Sequence, residues 1–122
     1  MWSPADPPRR FHARISHPSA VACELLFLPV FGPEDALGDV GDIDAALGGQ
    51  WARARERRAF GSRPYSTFLA RVLTGWRAEQ VCFVAVGPRE EADEGRWRRV
   101  AATCSYVARQ LKVQSCAWVV RD

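Results

Sequence analysis

The chain has 122 residues, 48% of them apolar and 25% charged, with a formal net charge of +3, which suits one folded domain around a single core. That balance is a poor match to a disordered chain, the net charge is mild, and no apolar run nears the ~20 residues that cross a membrane. The four cysteines, Cys23, Cys82, Cys104 and Cys116, contain no C-x-x-C pair. Each lies in an apolar run, so they read as reduced core thiols of a cytoplasmic protein.

Met1 to Pro8 carries three prolines and no periodicity, which makes residues 1–10 a flexible tail. Arg9 and Arg10 precede the apolar segment AVACELLFLPVF, but Glu24 and Pro29 interrupt that segment and no small-residue cleavage site follows, unlike a signal peptide. Phe11, Ala13 and Ile15 alternate with His12, Arg14 and Ser16, which predicts a short edge strand. Ala20 to Phe31 is nearly unbroken apolar sequence ended by Gly32 and Pro33, the pattern of a strand covered on both faces.

After an acidic loop, Asp42 is placed to cap a helix whose apolar positions are Ile43, Ala46, Leu47, Trp51 and Ala54, spaced by three and four. Tyr65 to Leu73 is β-rich, and Val81 to Val86 repeats the buried-strand pattern. From Glu91 to Leu111, the residues Trp97, Val100, Ala101, Cys104, Val107, Ala108 and Leu111 form a helical stripe. It predicts Trp97 and Val107 buried and Arg98 exposed, with the acidic Glu90 to Glu94 stretch favourable at the helix start. Ser115 to Val120 is a last apolar strand. Strands reached through helices imply an α/β fold: a mixed, mostly parallel sheet with helices on both faces.

The stretch DIDAALGGQWARARERRAF joins a double glycine to Arg53, Arg55, Arg57 and Arg58. Gly48 and Gly49 do not make a phosphate loop, which needs G-x-x-x-x-G-K-[ST] or a G-x-G-x-x-G turn between strand and helix. They fall inside the helical stripe, where absent side chains would let the helix approach the sheet. The four arginines are the candidate contact for a partner protein or nucleic acid, weighed against a plain solvated face. His12 and His17 have no metal-ligand spacing, and no serine or cysteine has an identifiable base, so the chain offers neither a catalytic nor a metal-ligating residue.

The order of pieces is the most specific signal. A strand ending VF-G leads to an acidic loop and D-x-A-L-G-G-x-W-x-R-A, then R-x-F-G, AEQVCFVAVG, and a helix closing on LKVQSCAWVV. This resembles the N-terminal domain of the cytosolic leucyl aminopeptidases, a two-metal hydrolase family, over about Phe11 to Val120. The chain departs from the family where Gly87 is followed by Pro88 in place of G-x-G, and where Gly61-Ser62-Arg63 replaces a lysine-glycine turn.

The resemblance implies that residues 11–122 form a macro-like α/β domain without an active site, as a truncated piece of such an enzyme or a free-standing relative. It implies assembly or regulation as the role, with the aminopeptidase catalytic domain or a second copy of the chain as partner and no membrane. Two divalent metals, zinc or manganese, would belong only to the separate catalytic domain, along with their Asp and Glu ligands and the N-T-D-A-E-G-R motif. One alternative is a macro-like module for ADP-ribose or a nucleotide, although FGPEDALGDVGD lacks the asparagine-rich pattern of such sites. The other is nucleic-acid binding through the arginine helix.

Overall fold

A computed structural model describes residues 17–57, 60 and 63–121. The predicted tail, the predicted strand Phe11 to Ile15, and Arg58 therefore lie outside the described residues. Strand β1 (Leu25–Val30) is buried along its whole length and sits inside a four-stranded sheet. On one side it pairs in parallel with β3 (Gln80–Ala85), and on the other with the short β4 (Cys116–Trp118). Strand β2 (Thr67–Arg71) runs antiparallel to β3 at the opposite edge, giving the order β2-β3-β1-β4. The sheet is thus mixed and mostly parallel.

Alternation along β1 divides the core. Leu26, Leu28 and Val30 join Val81, Phe83 and Ala85 on one face, beneath Ile43, Leu47 and Trp51 of the helical segment between β1 and β2. Leu25 and Phe27 join Cys82 and Val84 on the other, beneath α3 (Glu94–Leu111) through Val100 and Cys104. Both faces are covered, which is why the strand sequences show unbroken apolar runs and not alternation.

Pro29 sits in this central strand, where a missing N–H would ordinarily break a ladder. The β4 ladder ends at the Phe27–Trp118 pair, and the carbonyl of Pro29, which points to the same side as its nitrogen, accepts from the Arg121 side chain at 2.7 Å. No strand partner is therefore lost.

The single helix expected from Asp42 onward is two helices. Helix α1 spans Ile43–Ala46 and α2 spans Gln50–Glu56. Between them Gly48 and Gly49 have φ of 62° and 83°, the left-handed region that favours glycine. The glycines break the helix; they do not merely thin it. Asp44 bridges the break, its Oδ1 accepting from the amides of Trp51 at 3.0 Å and Ala52 at 3.3 Å. Asp42 holds the N-cap position of α1 but makes no capping bond there, and its Oδ1 accepts from Trp76 Nε1 at 3.3 Å.

The break reverses the sign of a substitution. In a continuous helix, Gly48→Ala would stabilise by about 1 kcal/mol. Here a Cβ on Gly48 would stand 2.7 Å from Leu73 Cδ1, on a backbone of positive φ. The expected result is a loss of about 1–2 kcal/mol, read as a lower denaturation midpoint. A midpoint that rises would favour the continuous helix.

Asp93 caps α3 by accepting from the Arg96 amide, and Lys112 ends it in the left-handed region. The α3 stripe is narrower than the sequence implies. Val100 and Cys104 are buried, Trp97, Val107 and Ala108 are half-buried, and Ala101 and Leu111 are exposed along with Arg98. The cysteines also divide: Cys82 and Cys104 are buried, Cys23 is half-buried, and Cys116 is exposed at the sheet edge, so it is not a core thiol. Burial pushes the Cys82 thiol up to about 12 and raises that of Cys104, which keeps both protonated and inert. Among the described residues, no helix is long and apolar enough to cross a membrane.

Candidate functional site

The arginine run does not form one strip. Arg53 of α2 and Arg57, which caps the C-terminus of that helix, lie one turn apart and, with Gln50, Ala54 and Phe68 of β2, line a groove of about 210 Å³. Arg53 Nη1 donates to the Gly48 carbonyl at 3.1 Å, which anchors one end of the guanidinium and leaves its other N–H groups without a partner among the described residues. Arg55 points elsewhere and donates to the Pro33 carbonyl in the loop after β1. No carboxylate of the described residues is at ion-pair distance from Arg53, Arg55 or Arg57. Three of the predicted contact residues are thus split between two surfaces, and Arg58 lies outside the described residues.

A second concavity follows from the topology. The chain leaves β1 toward the α1–α2 face and leaves the adjacent parallel β3 toward the α3 face. Open α/β sheets form a ligand crevice where neighbouring strands exit in opposite directions. Here that crevice has a volume of about 360 Å³ and is lined by Phe31, Glu34, Asp35, Pro88, Arg89 and Glu90. Three of these six carry carboxylates. Arg89, its one cation, lies over the Phe31 ring with the guanidinium carbon 4.1 Å from the centroid.

Behind the crevice wall stands Arg121, which the sequence reading passed over. Its side chain is only 2% exposed, and all its donors are used. Nη1 donates to Asp35 Oδ2 at 2.5 Å and to the Pro29 carbonyl. Nη2 donates to Asp35 Oδ1 at 2.9 Å and Asp39 Oδ1 at 2.7 Å, and Nε donates to Asp39 Oδ2 at 3.1 Å.

The amides of Phe31 and Leu37 also donate to Asp35. Burial alone would raise the Asp35 pKa, but Arg121 and these two amides outweigh it and hold the carboxyl at about 2. Arg121 hydrogen bonding also lowers Asp39, and the two carboxylates together push the Arg121 pKa further up. No local motif advertises this cluster, because Asp35 and Arg121 are 86 residues apart.

Among the described residues, no three His, Cys, Asp or Glu side chains are grouped to hold a metal ion. No family model and no curated protein matches the chain. The two concavities and the sheet edges therefore carry the functional reading.

Proposed function

We propose that this chain is a non-catalytic, macro-like domain of the leucyl aminopeptidase type, serving assembly with a catalytic domain or with its own copies. The order of elements supports the reading: a central strand ending VF-G, the broken GG helix, the strand QVCFVA and α3 before the last strand. The observation that carries it is the edge at β4. Among the described residues, no strand pairs with its outer side. Trp118 is 39% exposed and Val120, just beyond, 91%. The three residues of β4 carry no charge and no proline, so this short edge offers backbone groups to which another chain can add.

The crevice supports ADP-ribose or nucleotide binding less well. Glu34 and Glu90 would face a pyrophosphate with like charge, and Arg89 is engaged on Phe31. The nucleic-acid reading is also weakened, because the arginines are divided between two surfaces.

Sedimentation velocity tests the assembly reading, with the chain alone and mixed with the catalytic domain of a two-metal leucyl aminopeptidase. The expected result is a larger species that Trp118→Lys and Val120→Lys abolish without altering circular dichroism. A chain that stays monomeric and ignores that domain would overturn the reading.

A further inference from the structure

The groove between α2 and β2 has a composition that assembly at β4 does not use. It combines two guanidinium groups unpaired with any described carboxylate and one aromatic wall. Phe68 ends a row of rings that runs inward, 5.9 Å from Phe83 and 6.4 Å from Phe60, so its position is fixed by core packing. Gln50 is likewise fixed, donating to the carbonyls of Leu47 and Arg71. Phe68 and Gln50 are thus held in place, and the Arg53 guanidinium is anchored at one Nη1 bond to the Gly48 carbonyl.

Size and spacing decide what fits. A groove of about 210 Å³ is below the ~300 Å³ at which small-molecule sites begin, and suits the ends of a few side chains laid along it from an extended segment. Arg53 and Arg57 are one helical turn apart, about 6 Å along the axis. In an extended peptide, residues i and i+2 project to the same side with a spacing of about 7 Å. Two carboxylates at that spacing would each meet one guanidinium, in the geometry that favours paired N–H···O bonds.

We infer that the α2–β2 groove is a binding site for an extended acidic peptide segment of the form Glu-x-Glu with an apolar residue two positions before it, on the same side of the strand. Arg53 and Arg57 take the carboxylates and Phe68 takes the apolar side chain. Single-stranded nucleic acid is the lesser match, because a backbone of several phosphates needs a cationic track and Arg55 is turned away toward Pro33.

The probe is a peptide with fluorescein on its N-terminus, fluorescein-Gly-Phe-Ser-Glu-Ser-Glu-Gly-amide, titrated by fluorescence polarisation against the full chain. A Glu-to-Gln version of the peptide and a labelled oligothymidylate serve as comparators. The expected result is saturable binding that salt weakens and that the Gln peptide loses. Joint Arg53→Gln and Arg57→Gln replacement should weaken it about tenfold or more, while Arg55→Gln leaves it unchanged.

Arginine Nε and aromatic NMR resonances of the unaltered chain provide a check that needs no variant, with shifts confined to Arg53, Arg57 and Phe68. No binding at millimolar peptide, binding indifferent to the double replacement, or tighter binding of the oligothymidylate through the same residues would each overturn the inference.

Discussion

Replacing Arg121 with methionine is expected to cost about 3 kcal/mol of folding stability, in the range for breaking a buried ion pair. Methionine keeps much of the apolar volume, so the loss reports charge and hydrogen bonding more than packing. Asp35 would be left buried with only two amide donors, and the Pro29 carbonyl would lose its partner. Asp39 contributes less to the loss, since its side chain is 48% exposed and water can solvate it.

The pH profile separates this cause from a packing defect. In the native chain the folded-state carboxyl of Asp35 titrates at about 2, below its ordinary value of 3.8. A depressed carboxyl contributes stability above its unfolded pKa, and that contribution fades as pH falls through the folded value. The window is therefore about pH 4 to pH 2, and the contribution above it is on the order of 2 kcal/mol. In Arg121→Met the acid limb should move upward and the stability gap to the native chain should narrow below pH 3. Asp35→Asn combined with Arg121→Met should lose less than the sum of the two single losses. A pH-independent gap would mean that packing, not charge, carries the effect.

Val100→Asp is expected to be as damaging or worse, several kcal/mol, because it puts a carboxylate into a fully buried position between α3 and the sheet. Val107→Asp tests the same stripe at a half-buried position, where the new charge can reach water, and should cost clearly less. Chemical denaturation of both variants gives the ranking. Equal losses would show that the helix presents a wider face to the sheet than Val100 and Cys104 define.

The parts that were legible in the sequence depend on one segment alone. A strand covered on both faces must be apolar throughout, so Leu25–Val30 and Gln80–Ala85 stood out, and α3 showed its side through residues three and four apart. The α1–α2 break was hidden because the apolar spacing runs on across Gly48 and Gly49 as though the helix were continuous. Two adjacent glycines after an apolar turn are also a helix-stop signal, and here the positive φ angles decide between the readings.

Neither concavity could be found that way. The α2 arginines needed Phe68 from a separate strand to become a groove, and Arg121 acquires meaning only beside Asp35 and Asp39. The half-buried state of Trp97 and Val107 was hidden in the same way, since the periodicity of a helix does not record the extent of what it covers.

The central position of β1 has a consequence for how the chain is made. Its neighbours β3 and β4 both lie far downstream, and the bonds between Glu24 and Ser115 join residues 91 positions apart. During synthesis LLFLPV leaves the ribosome before either neighbour, since Leu25 pairs with Gln80 and with Cys116, 55 and 91 residues later in the chain. Distant pairings of this kind fold slowly and leave apolar surface open in the interval. Pro29, inside that segment and facing the side that Arg121 later fills, interrupts what would otherwise be an uninterrupted aggregation-prone strand. The same residue that the finished sheet tolerates thus guards the growing chain.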